Sequence, residues 1–192
     1  MARKILYALI MVSLILVAKQ VTAQNDIGAT VESGTTLITS PALVGSVEVR
    51  ISASQTAADV TAVVMTLSRV EIYLASGWTR MTPGSSNKID LKQAVEAPQT
   101  IATISSLNPG TYTQVRMTIS RVDVTAAAGK PLKATMSTNI ISFTQNYQVS
   151  AKNTTVLVIN FDMVKSIDSS SKDQISFTPV AKLVYNRAPG VR

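Results

Sequence analysis

From Ser46 onward, apolar and polar residues alternate with a period of two, in short runs separated by turn residues. That period places one face of a strand on a core and the other in water. The clearest run follows Leu107-Asn108-Pro109-Gly110. Pro109 presets φ at the first central position of a turn, and Gly110 supplies the positive φ expected at the second. Val115, Met117 and Ile119 then alternate with Gln114, Arg116 and Thr118, which predicts a half-buried strand. Tyr112 stands directly after the turn, where a tyrosine ring packs inward and its hydroxyl bonds to upstream backbone.

The other runs fall on both sides of this one. Val47, Val49, Ile51 and Ala53 form one face of a first strand. Val60 to Leu74 is too long for one straight strand: Val63, Met65 and Leu67 share one parity, and Val70, Ile72 and Leu74 the other, so a bulge is expected near Ser68-Arg69. Short strands are predicted at Trp78 to Met81 and Lys88 to Leu91, with Thr82 to Asn87 a loop and Lys92 to Pro98 a helical turn or loop. The spacing of Ile101 and Ile104 does not separate strand from helix. The organising strand continues to Val124 with a parity change near Arg121, and Ala126 to Lys130 reads as a hairpin tip returning through Lys133 to Met136. Asn139 to Phe143 and Tyr147 to Ala151 are two further strands. Thr155 to Phe161 is apolar on both faces, which predicts a central position. Asp162 to Lys172 is a polar crossover anchored by Val164 and Ile167. Ile175 to Tyr185 is the last strand, and Pro179 within it predicts an edge or a bulge. Short strands without a long amphipathic helix predict an all-β fold, an antiparallel two-sheet sandwich spanning residues 46–186, which the corner from Leu107 to Tyr112 marks as immunoglobulin-like by resemblance.

Composition narrows the chemistry. The chain has no Cys and no His. That removes disulfides, most transition-metal sites and histidine acid–base catalysis. No catalytic residue, cofactor or metal site is predicted. The carboxylates Asp59, Glu71, Asp90, Asp123 and Asp162 are scattered, without the converging pair that glycoside hydrolysis needs. Asp168 to Asp173 is rich in oxygen ligands but lacks the EF-hand pattern and its central glycine, so a plain loop is the expectation. The net charge is +7. The basic residues beyond residue 23 are dispersed, which argues against a nucleic-acid stripe. The lone Trp78 is either an exposed contact residue or core.

Residues 1–23 read as a secretory signal. Arg3 and Lys4 open it, Ile5 to Ala18 form an apolar core short for a membrane span of about 20 residues, and Val21-Thr22-Ala23 carry small residues at the positions a peptidase reads. Cleavage after Ala23 is expected, with an uncleaved anchor as the alternative. Residues 24–45 form a polar extension in which Ile27, Ala29 and Val31 alternate with polar neighbours and Leu37 follows beyond Ser33-Gly34. It is either a leader or a strand without a partner in its own chain. Residues 187–192 form a short basic tail. Asn153-Thr154-Thr155 is a glycosylation sequon at a turn.

Leu107, Pro109, Gly110 and Tyr112 together resemble the Leu-x-Pro-Gly-Thr-Tyr corner of immunoglobulin-like, fibronectin type III and transthyretin-like domains. One departure stands out. Gln114 occupies the place of the next apolar residue in those families, which calls for a bulge at Thr113-Gln114 or an outward Tyr112. The ordered set from Ser46 to Tyr185, including Ile89-Asp90-Leu91, Asn160-Phe161-Asp162-Met163 and Phe177-Thr178-Pro179-Val180, resembles a family of secreted archaeal and bacterial β-sandwich domains of unknown function. That resemblance implies no catalytic residues. In layout the chain resembles archaeal thread-type filament subunits, in which the N-terminal tail of one subunit completes the sandwich of the next. This implies a secreted surface protein that self-associates or binds another surface protein, with no nucleic acid and no membrane after cleavage. The alternative is a monomeric extracellular module that binds a ligand or envelope partner.

Overall fold

In the computed structural model of the chain, residues 43–55, 59–126, 131–171 and 174–185 are described. The predicted signal, the extension with Ile27, Ala29, Val31 and Leu37, the hairpin tip at 127–130 and the C-terminal tail lie outside them. The described residues belong to one compact unit, Pro41–Arg192. Two sheets carry most of the strands. The first has the order β14 (Ala181–Tyr185), β11 (Thr154–Phe161), β1 (Gly45–Ala53), β6 (Gln99–Leu107), β4 (Thr82–Pro83). The second has the order β10 (Ile140–Val149), β7 (Gly110–Ala126), β2 (Val60–Leu74), β3 (Gly77–Arg80), with β5 (Lys88–Asp90) also on β2 and β8 (Pro131–Lys133) also on β7. A small third sheet joins β12 (Ile167–Ser171), β13 (Gln174–Phe177) and β9 (Thr135–Met136). One helical turn, α1 (Gln93–Glu96), follows β5, and another, α2 (Met163–Ser166), follows β11.

The alternating residues build one core. Val47, Val49 and Ile51 of β1 and Leu157, Ile159 and Phe161 of β11 are fully buried, as are Val63, Met65 and Ile72 of β2 and Val115, Met117 and Ile119 of β7. All belong to a single buried cluster that also takes in Ile175 and Phe177 of the third sheet. At roughly 1.5–3 kcal/mol for each fully buried large aliphatic side chain, this shared core is the main term holding the sheets together.

The predicted bulge in β2 has a counterpart. Leu67 pairs with Ile119 and Arg69 with Thr118, which leaves Ser68 as the extra residue of β2. Thr66 pairs with Arg121, which leaves Ser120 as the extra residue of β7. Both strands therefore change parity at one level, and their apolar faces stay together. The two serines secure the step reciprocally. Ser68 Oγ donates to the Thr118 carbonyl at 3.3 Å, and Ser120 Oγ to the Thr66 carbonyl at 3.1 Å.

Four expectations are corrected. The sheets are not wholly antiparallel: β1 and β11 run parallel, with Val49 beside Leu157 and Ile51 beside Ile159, and β9 pairs parallel with β13. Alternation places side chains on faces but carries no strand direction. The two runs 139–143 and 147–151 are one strand, β10, with an irregularity between Thr144 and Tyr147. Pro179 marks neither an edge nor a bulge but a break, because β13 and β14 belong to different sheets. The crossover is anchored by Met163, fully buried, whereas Val164 is 62% exposed. The Asp162 side chain caps α2 by accepting from the Lys165 amide, and this orients Met163 inward.

Candidate functional site

The predicted corner lies at one end of the second sheet. Leu107 is buried, Pro109 and Gly110 are exposed, and the Tyr112 hydroxyl donates to the Asn108 carbonyl at 2.8 Å. Gly110 has φ +159°, at the border of ordinary extended backbone, so the turn does not need a left-handed residue there. Tyr112 packs against the core and stacks on Tyr147, ring centres 6.0 Å apart. Tyr112 and Val115 differ in parity yet both pack on the core, and here the register with β10 shifts, so that Gln145 and Asn146 lie opposite Thr113. A cleft of 630 Å³ runs from this corner to the β2–β3 turn at Tyr73–Ser76.

Tyr147 has the least accommodated polar group of this region. Its side chain is 1% exposed, and its hydroxyl has no hydrogen-bond partner among the described residues. Burial pushes its phenol above the ordinary tyrosine value, with the neighbouring Tyr112 adding to the shift. An unpaired buried hydroxyl costs about 1–3 kcal/mol. Tyr147→Phe is therefore expected to leave stability unchanged or raise it by about 1 kcal/mol, read from a denaturant midpoint. A clear loss would reveal a partner for the hydroxyl.

The densest group of charges lies on the outer face of the second sheet. Glu71 of β2 stands opposite Arg80 of β3 and Arg116 of β7. Arg116 Nε donates to Glu71 Oε2 at 2.6 Å, and its Cζ lies 4.1 Å from the centre of the Trp78 ring. Arg69 Nε lies 3.5 Å from the same carboxylate and 3.4 Å from the Thr118 hydroxyl. Arg80 donates to the Ser68 carbonyl at 3.1 Å, a bond made possible by the bulge. Trp78 is half-buried, and its ring meets Tyr73 edge-on at 5.3 Å. Arg69 and Arg80 also line a cavity of 210 Å³ whose apolar floor includes Leu67, Val70, Met81 and Ile101.

The sequence reading missed this cluster. Arg69, Arg80 and Arg116 are far apart in the chain, and only strand register assembles them. The hydrogen bond from Arg116 holds the Glu71 carboxyl below the ordinary glutamate range. Burial opposes this shift, and the charges of Arg116, Arg69 and Arg80 reinforce it. A depressed folded value stabilises the fold above the unfolded pKa of about 4.3, and that contribution is lost as pH falls through the folded value. Glu71→Gln should lower the melting temperature at neutral pH and flatten the acid limb of a stability–pH profile below about pH 4.3. An unchanged acid limb would place the pH dependence elsewhere.

Asn153 is exposed in the turn before β11, and its carbonyl accepts from the Ser46 amide at 3.0 Å. Among the described residues no group of three or more Asp or Glu lies together as a metal site, and no helix is long and apolar enough to cross a membrane. Of the oxygen-rich stretch expected as a plain loop, Asp173 lies outside the described residues, whereas Asp168 to Ser171 belong to strand β12, and Ser169 there donates to Asp59 at 3.0 Å.

The sequence profile of a family of domains of unknown function, DUF4382, matches residues 44–179. The chain belongs to this family. The match runs from the start of β1 to just beyond β13, so β14 lies past its end. The DUF4382 match also contains the corner, the arginine cluster and the whole of β10. No curated protein and no solved structure matches the chain.

Proposed function

We propose that the chain is a non-enzymatic, secreted structural protein of the cell surface whose subunits form a filament by strand addition. On this reading the two large sheets are an immunoglobulin-like sandwich, residues 1–23 are removed on export, and a segment between Ile27 and Thr39 of the extension reaches a neighbouring subunit. The supporting observation is the character of β10. Among the described residues six strands lie at the edges of the two large sheets, and a natural edge is protected by charge, proline or shortness. β14 carries Lys182, β4 carries Pro83, β3 carries Arg80, β5 carries Lys88 and β8 carries Lys133. β10 is ten residues long with neither a charged residue nor a proline, and among the described residues it pairs with β7 alone.

The two halves of β10 differ. The Gln148 carbonyl accepts from the Thr155 hydroxyl at 2.7 Å and from the Tyr185 hydroxyl at 3.5 Å, so the C-terminal half is tied to the other sheet. Ile140 to Thr144 precede the irregularity, and Ile140 is 44% exposed. An extended segment added there would gain main-chain hydrogen bonds and cover Ile140. Asn153, exposed at its turn, is available to a glycan on an exported protein. The second reading, a monomeric binding module, is favoured by the arginine cluster. Gel filtration and electron microscopy of the exported protein separate the two: unbranched fibres are expected, and a stable monomer at high concentration would favour the module.

A further inference from the structure

We infer that the outer face of the second sheet binds an acidic polysaccharide, with Arg69 and Arg80 pairing to its carboxylate or sulfate groups and Trp78 packing on a sugar ring. This inference is independent of assembly through β10. Its first support is charge. Three guanidinium groups surround one carboxylate, Glu71, so two positive charges in this cluster are not matched within it. Farther along the same face Lys88, Arg121 and Lys133 stand among Asp90 and Asp123, and here too the cations are in excess. Dispersed in sequence, these residues converge because each occupies an outward position of its strand.

The second support is geometry. Each arginine of the cluster is held before any ligand arrives: Arg116 by Glu71, Arg69 by Thr118, Arg80 by the Ser68 carbonyl. Fixing a guanidinium in advance lowers the ordering cost of binding. Arg69 nevertheless keeps 47% of its side chain exposed, and Arg80 is exposed. The planar fork suits carboxylate and sulfate oxygens. Arg80 stands opposite Glu71 on β3, and Arg69 lies two residues from Glu71 on β2, so the two guanidinium groups sit on adjacent strands of one face.

The third support is the kind of surface. The face is an open sheet with hydroxyl and amide groups at Ser142 and Gln114 beside the arginines. Tyr73 and Trp78 meet at 68°, so they do not offer the parallel platforms on which successive bases of a single strand stack. Trp78 is half-buried with Arg116 over its ring, and the part of the indole left open, edged by polar groups, fits a sugar ring, whose two sides are apolar and whose rim is hydroxylated.

Trp78 is the only tryptophan of the chain, so its fluorescence reads this face directly. Full-length exported protein would be titrated with polygalacturonate, dextran sulfate and neutral dextran at low and high salt. A saturable change is expected with at least one acidic polymer and none with neutral dextran. The affinity should fall as salt rises. The Arg69→Gln/Arg80→Gln double variant should bind at least tenfold more weakly with its melting curve retained; if it does not fold, Arg69→Gln alone is read the same way. Equal response to neutral dextran, no response to either acidic polymer, or unchanged affinity in the variant would overturn the inference. So would displacement of the acidic polymer by a lower concentration of single-stranded oligothymidylate, which would make the face a nucleic-acid surface.

Discussion

Phe161→Ala is expected to lower the stability of the domain by about 3–5 kcal/mol, a large share of the 5–15 kcal/mol typical of a folded domain. Phe161 is fully buried at the end of β11, with Ala53 beside it on β1 and Ala181 on β14. These small neighbours leave room for the ring within the sheet. Its centre lies 6.4 Å from that of Phe177, so the pair joins the five-stranded sheet to the three-stranded one. Removing the ring leaves a void that neither alanine can fill, and the cost of a truncation rises with the cavity that remains. Chemical denaturation should show a lower midpoint with an unchanged slope. Ile159→Val, on the same strand and equally buried, is the internal comparison and should cost only about 0.5–1.5 kcal/mol. If the two variants were equally mild, Phe161 would not be the junction between the sheets.

Strand positions were legible wherever a residue's neighbours in the chain decided its environment. Val63, Met65, Leu67, Val70 and Ile72 announce both a strand and a parity step, because a buried face tolerates no polar residue out of phase. The same logic marked Arg121 on β7. What could not be read was that the two steps lie opposite each other, with Ser68 and Ser120 as matched extra residues. That is a property of register between strands. The direction of β11 beside β1 was hidden for the same reason, since apolar alternation is identical in parallel and antiparallel pairs.

The site divides along the same line. The corner is local: Pro109, Gly110 and Tyr112 are consecutive enough for turn chemistry to place the tyrosine hydroxyl near the Asn108 carbonyl. The arginine cluster is not local. Its members come from β2, β3 and β7, and nothing in the dispersed basic residues signals that Glu71, 7% exposed, lies between them. Trp78 leaves both readings open in the sequence, and its half-buried place under Arg116 lies between an exposed contact residue and a core residue.

Deleting residues 24–39 is expected to abolish assembly while the rest of the chain is still exported and folded, provided the signal is kept. The buried core cluster of the described residues runs from Val47 to Phe177. Ile27, Ala29 and Val31 share one parity in the sequence, and Leu37 follows beyond Ser33-Gly34. Added beside β10, such a segment would contribute main-chain pairing along Ile140 to Thr144 and the burial of its own apolar face, roughly 1.5–3 kcal/mol for each large side chain covered. Three outcomes should agree. Truncated subunits should be monomeric by gel filtration, and a peptide of residues 24–39 should raise their melting temperature. Ile140→Lys, placed on the exposed edge with the tail intact, should also block fibres, because a lysine there repels an added strand and remains solvated in the monomer. If truncation leaves fibres intact, the tail is only a leader. If truncation blocks fibres but Ile140→Lys does not, the acceptor lies on another strand, and the unprotected edge of β10 has lost its proposed role.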